Sequence, residues 1–248
     1  MSVLWRAARP APSSLTLPAI CGLFQDAARA HASELGLGVA DLHAASRAWI
    51  LSRLALRVHQ LPEPCEMVEV LSWPSRRTAG VRARREFEIR APGGDLLVEA
   101  CSVWLILDRV SRRPARLPAG LLHLDFPARD TAIEPLSIPE PAEAALFTGC
   151  HKILAGDLDE NNHANNVSYI QWACNALSAD FLAAHTPAEL HVEYLAEALL
   201  GDNVQIAACP DGRGRLLHRL STSGRTLARL LTTWRPAEAP VSTAGAST

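Results

Sequence analysis

Along Val81–Arg90 apolar and polar residues alternate: Val81, Ala83, Phe87 and Ile89 fall on one face, and Arg82, Arg84, Glu86, Glu88 and Arg90 on the other. A period of two predicts a strand with one covered and one wet face. Gly93-Gly94 supplies a hairpin turn into Leu96–Leu107, whose long apolar run predicts a central strand covered on one or both faces. Upstream, Ala48–Val58 and Glu66–Trp73 are rich in β-formers, and Val3–Ala8 predicts a short strand. Pro18–Leu35 follows another period. Ile20, Leu23, Ala27 and Leu35 recur near helical spacing, Pro18 suits a first turn, and Gly36 a stop.

The segment Arg109–Ala145 carries Pro114, Pro118, Pro127, Pro135, Pro139 and Pro141 without sustained periodicity, so it predicts a linker draped over the surface. Beyond it the order repeats. Leu146–Leu154 predicts a strand, and Asn166–Ala184 a helix with Ile170, Cys174, Leu177 and Phe181 on one stripe. Leu190–Leu195, Asn203–Cys209, Leu216–Thr222 and Thr226–Trp234 predict four strands, with Gly212-Arg213-Gly214 and Ser223-Gly224 as turns. Pro236–Thr248 has the composition of a disordered tail.

Each half is therefore strand, long helix, then four strands. An apolar helix followed by an antiparallel meander buries itself by lying in the concave face of a curved sheet, and two such units pack side by side as a pseudo-dimer. The expected fold is α+β, a tandem double hot-dog. Its expected parts are an N-terminal hot-dog over 1–108, a linker over 109–145, a C-terminal hot-dog over 146–235 and a tail over 236–248.

Composition narrows the class. The chain has 248 residues, 48% of them hydrophobic, and a formal net charge of −2, which allows an ample core and gives no global case for nucleic acid. Cys21, Cys65, Cys101, Cys150, Cys174 and Cys209 are scattered without CxxC pairs, most in apolar surroundings. They predict reduced thiols in a cytosolic protein, with no disulfide frame and no metal. The opening Met1–Arg6 lacks a signal-peptide apolar region, and no apolar run reaches the roughly 18 residues that span a bilayer. A soluble, cytoplasmic protein is expected.

The chemistry concentrates in Gly156–Tyr169. Asp159, Asn161 and His163 stand two apart, and Asn165-Asn166 opens the helix, where free N–H groups can receive developing negative charge. A polar strand-to-helix loop with an Asx cap would account for part of this string. Acyl hydrolysis could use all of it. A free imidazole titrates at about 6.5, close enough to neutrality to shuttle a proton, and carboxamides or backbone N–H groups can hold a water or an oxyanion.

The string Asp-x-Asn-x-His-x-Asn-Asn-Val-x-Tyr from Asp159 to Tyr169 resembles the signature of the acyl-ACP thioesterases. Leu23–Ala28, Trp49–Arg53 and Arg112–Pro118 resemble further stretches of that family in the same order. The resemblance implies hydrolysis of fatty acyl-ACP to free fatty acid without a cofactor, with Asp159, Asn161 and His163 catalytic; the backbone N–H groups near Asn165 and Asn166, at the positive helix end, are the expected oxyanion donors. His191–Glu197 resembles the family's Leu-Glu-Tyr-x-x-Glu-Cys stretch, which implies Glu197 as base on water. Glu193 is the weaker candidate, expected to share a face with Glu197 in an unbroken strand. Where many relatives carry cysteine, this chain has Ala198, so a covalent acyl-cysteine at that position is excluded and water attack remains.

The first half lacks the string and is expected to give the acyl pocket and a docking face, with His31 structural and Trp49, Trp73 and Trp104 in the core. Arg76, Arg77, Arg82, Arg84, Arg85, Arg109, Arg112, Arg113 and Arg116 form a candidate basic surface for an acidic carrier protein, or a solvated face. An acyl-CoA thioesterase and a non-catalytic acyl-binding module stay open as alternatives, as does a homodimer.

Overall fold

The computed structural model describes residues 4–11, 16–141, 144–212 and 214–237. The first half runs β1 (Trp5–Pro10), α1 (Leu17–Glu34), α2 (Val39–Ala44), β2 (Arg47–Val58), β3 (Met67–Pro74), β4 (Arg82–Arg90) and β5 (Leu96–Asp108). The connection holds β6 (Pro114–Ala115) and α3 (Ala119–Leu122). The second half runs β7 (Phe147–Lys152), a 3-10 turn (Ala155–Asp157), α4 (Asn166–Asn175), α5 (Ala179–Ala184), β8 (His185–Tyr194), β9 (Asn203–Pro210), β10 (Arg215–Thr222) and β11 (Arg225–Pro236). Val3 and nearly all of the expected tail lie outside the described residues.

One antiparallel sheet carries both halves in the order β1-β3-β4-β5-β2-β8-β11-β10-β9-β7, with β6 beside β5. Counted within its half, each strand's place in the first five is mirrored in the second five. The halves join at β2 and β8, from Arg53 opposite Glu193 to Arg57 opposite Glu189. This is the pseudo-dimeric sheet that the repeated pattern demands, and α1 and α4 lie against each other across the junction.

The α1 helix starts where Thr16 Oγ1 accepts from the Ala19 N–H, keeps Pro18 in its first turn, and stops where Gly36 takes φ 67. It buries Ile20, Cys21, Phe24, Ala27 and Ala28, with the Phe24 and Phe87 rings 5.0 Å apart. On α4, Tyr169, Ile170, Trp172 and Ala173 join the same core.

The second helix differs from expectation. It stops at Asn175, and α5 begins after Ser178, whose backbone is extended and whose Oγ accepts from the Phe181 N–H at 3.1 Å. A serine cap competes well with helix continuation, while the apolar stripe runs on through Leu177 and Phe181 and so hides the break. β8 begins at His185, five residues before the expected Leu190, and accommodates Pro187 at a register shift against β11. The α2 helix was not expected. It is short, and its cap is Asp41 Oδ2 accepting from the Gly38 N–H.

The proline-rich connection straps the outer face of the sheet. The Trp73 indole donates to Arg129 O at 2.9 Å, the Thr131 hydroxyl to Glu86 at 2.5 Å, and the Ala132 N–H to Glu99 at 2.9 Å. Farther on, the Leu136 N–H meets His191 Nδ1, and Arg229 pairs with Glu140. Glu86 and Glu99 are buried, so they require such donors. Ile133 and Ile138 fill the gaps over Ala55–Cys101 and Leu217–Leu231.

Candidate active site

Between β7 and α4 the chain folds back on itself. Leu158 bridges Ala164, the Asp159 N–H bonds to His163 O at 2.8 Å, and Asn162 turns the chain at φ 60, a region asparagine tolerates. Asp159 organises this elbow. Its Oδ1 accepts from the N–H groups of Asn161 (2.8 Å) and His163 (3.2 Å), and its Oδ2 lies 3.4 Å from Asn161 Nδ2. The Asx-turn role thus falls on the same carboxylate for which a chemical role is expected.

The elbow is tied to the segment after β8. The Ala164 N–H bonds to Ala198 O at 2.9 Å, and His163 bridges Leu199. Tyr169 and Tyr194 close the joint, their hydroxyls donating to Ala196 O and Asn166 O. Burial pushes the Tyr169 phenol up to about 12, so it stays a neutral donor. These ties bring His163 Nδ1 within 3.7 Å of Glu197 Oε1, both side chains 30% exposed.

Asn165 caps α4 with its side chain accepting from the Val167 N–H at 3.0 Å. Its own N–H is committed to Asp157 O at 2.7 Å, so of the two asparagines expected near an oxyanion, Asn166 is the one left as a backbone donor candidate. Asp157 itself is held in place: burial opposes its charge, but hydrogen bonds from His151 and the Leu154 N–H keep its carboxyl below the usual range.

A cleft of about 130 Å³ opens between α1, α2, the first-half strands and the elbow. Gln25, Arg29, Trp49 and Trp104 line it from the first half, and Asp159, Asn161, Asn165 and Asn166 from the second. An apolar pocket of about 30 Å³ adjoins it through Gln25, Ala28, Trp104 and Asn166 and continues to Cys21, Phe24, Ile170 and Tyr194. His163 and Glu197 are not among the residues that line this cleft; His163 stands two positions after the lining residue Asn161 and holds Glu197 beside it. Of the three tryptophans expected in the core, Trp73 is fully buried, whereas Trp49 and Trp104 form cleft wall.

Glu193 is separated from Glu197. β8 ends at Tyr194, and Glu193 turns to the sheet's outer side, 2.6 Å from Arg53 and 3.8 Å from Arg229. The strand break removes the shared face that an unbroken β8 would have given. The expected basic surface also shrinks. Arg84 is buried against Glu86, and Arg85 points inward to His31 Nδ1 and Ser72 Oγ, each at 3.0 Å, where burial lowers it to about 10. Arg76, Arg77, Arg82, Arg109, Arg112, Arg113 and Arg116 stay exposed, with Arg77 paired to Asp130 and Glu134 and Arg112 to Glu197.

Sequence reasoning missed the Arg112–Glu197 contact and α2 in the cleft wall. Neither leaves a local signal, because both depend on how the halves meet. Among the described residues no group of three or more His, Cys, Asp or Glu side chains could hold a metal ion, and no helix is long and apolar enough to cross a membrane.

The chain resembles known proteins over both halves. Residues 11–124 match the profile described as acyl-ACP thioesterase N-terminal domain, and residues 147–236 the profile described as acyl-ACP thioesterase C-terminal domain. A chloroplastic palmitoyl-acyl carrier protein thioesterase of Gossypium hirsutum is 24% identical over 209 residues, covering 77% of this chain and 51% of that protein. A chloroplastic oleoyl-acyl carrier protein thioesterase 2 of Arabidopsis thaliana is 22% identical over 234 residues, covering 85% of this chain and 62% of that protein. The chain thus spans about half to three fifths of these relatives' length. An acyl-ACP thioesterase structure from Bacteroides thetaiotaomicron superposes with a TM-score of 0.86 at 20% identity, over 95% of this chain and 100% of that one. The 12:0-ACP thioesterase from Umbellularia californica gives 0.83 at 20% identity, over 96% and 99%. These likenesses establish the double hot-dog fold. With both halves of the sheet matched in sequence and in the same order, the chain belongs to the acyl-ACP thioesterase family.

Proposed function

We propose that the chain hydrolyses the thioester of fatty acyl-acyl carrier protein, releasing free fatty acid and carrier thiol in the cytoplasm. The observation that carries this reading is one elbow presenting Asp159 and Asn161 to a largely apolar cleft while holding His163 3.7 Å from Glu197. In this reading the acyl tail occupies the cleft and its adjoining pocket, and the thioester lies at the elbow.

Water supplies the nucleophile. Its oxygen attacks the carbonyl carbon as Glu197 takes one of its protons, the C–S electron pair leaves on sulfur, and His163 relays that proton to the departing thiolate. Thiolate is a good leaving group, so a modest base suffices. The Asn166 N–H and the Asn161 carboxamide, at the positive end of α4, are the donors for the oxyanion, and Asp159 holds the turn that aims them. No acyl-cysteine competes at the family's usual position, because Ala198 stands there. Cys174 is unsuited as well, since burial lifts its thiol to about 12.

The first half, 1–108, supplies the cleft wall and docking face, and the second, 146–235, the reacting groups. Of the four arginines expected to dock the carrier, Arg77 and Arg112 are tied to carboxylates, so docking falls first to Arg76 and Arg113. A second copy would add at the sheet's end strands, β1 or β7. The test is thiol release from a C8 to C18 acyl panel on acyl carrier protein, with the same chains on CoA in parallel. Faster turnover on the protein carrier is expected. Equal or faster turnover on CoA supports the acyl-CoA reading, and tight binding without thiol release supports a binding module.

A further inference from the structure

One guanidinium reaches from the connection between the halves to the elbow. Arg112 Nη2 meets Glu197 Oε2 at 2.5 Å, while the other carboxylate oxygen faces His163 Nδ1 at 3.7 Å. The turn presenting Arg112 is fixed locally. Asp108 Oδ1 accepts from the Val110 N–H, the Ser111 N–H and the Ser111 hydroxyl, and the Arg112 N–H bonds to Asp108 O. Arg112 itself takes φ 58, a conformation a bulky side chain enters at a cost. From the far side, Arg225 Nη2 donates to the Glu197 carbonyl at 2.9 Å.

An ion pair whose arginine side chain is 57% exposed contributes little to stability. Its geometric effect is larger: tying one carboxylate oxygen fixes the rotation of the group and leaves the second oxygen aimed at the imidazole. We propose that Arg112 is a positioning residue, acting through Glu197 by holding its carboxylate toward His163. The connection between the halves then contributes to the reaction itself. This rests on the reading of Glu197 as base, and carrier docking is the rival role for the same arginine.

A carrier-free substrate separates the two roles. Hydrolysis of an acyl N-acetylcysteamine thioester is measured for wild type, R112A, R112K, E197Q and the R112A/E197Q double variant. R112A is expected to lower kcat about tenfold with KM nearly unchanged, the signature of a misaligned group rather than lost binding. R112K should recover most of that loss, because a single N–H makes the contact. In the E197Q background R112A should cost nothing further. The proposal is overturned if R112A keeps the wild-type rate on this substrate, if it loses rate only on acyl carrier protein through KM, or if its loss multiplies with that of E197Q. A fully active E197Q removes the reading of Glu197 as base, and the proposal with it.

Discussion

Asp159 and His163 stand four residues apart in the same elbow, yet they carry different kinds of load. Two backbone N–H groups converge on Asp159 Oδ1, so Asp159→Ala should cost about 1–2 kcal/mol of stability, measured as a drop in the urea midpoint, beside its loss of activity. The His163 side chain makes a long contact, 3.7 Å, with Glu197 and is 30% exposed. His163→Ala should therefore leave the urea midpoint nearly unchanged, which makes it the cleaner probe of chemistry. A second residue-scale expectation concerns His218, buried with Nε2 on Thr232 Oγ1 and Nδ1 without a partner. Burial lowers its pKa to about 4 from 6.5. Between these values the unfolded chain binds a proton that the native chain refuses, so stability present above pH 6.5 is lost as pH falls toward 4. The loss is on the order of 3 kcal/mol, and His218→Gln should flatten that part of a stability-versus-pH curve. A curve of unchanged slope would show that other groups govern it.

At the scale of elements, the α4–α5 break rests on one side chain. Ser178→Ala removes the acceptor for the Phe181 N–H and should lower stability by about 1 kcal/mol, read as a fall in Tm, with activity retained. Elements with a clean period were legible from sequence: α1 lies where its stripe and Pro18 put it, and β4 where its alternation did. The break at Ser178 was not, because Ile170, Cys174, Leu177 and Phe181 keep one stripe across it. Nor was the start of β8 at His185, five residues before the expected Leu190. Its end at Tyr194 falls one residue from the expected Leu195, so Glu193 faces outward to Arg53 within the strand while Glu197 lies beyond it beside His163. Local pattern reports which residues want burial; it does not report where a strand leaves its ladder.

Across the whole molecule, the repeated order of elements becomes a mirrored strand order in one continuous sheet, and this was readable because each half repeats the same apolar grammar. What joins the halves was not readable. The cleft takes Trp49 and Trp104 from one half and Asp159 and Asn161 from the other, and the connection between them supplies Arg112 to Glu197. Such contacts depend on placement over long sequence separations, which no local period encodes. Arg85 differs: the alternation of β4 already sets it on the apolar side, where it turns toward His31.

The central claim is that the elbow's imidazole moves a proton in thioester hydrolysis. Thiol release from acyl carrier protein substrates by wild type and His163→Ala, with matched far-UV circular dichroism, tests it most directly. The account predicts steady release by wild type and a fall of at least roughly a hundredfold in kcat for the variant. A folded His163→Ala protein that releases thiol at the wild-type rate would contradict it.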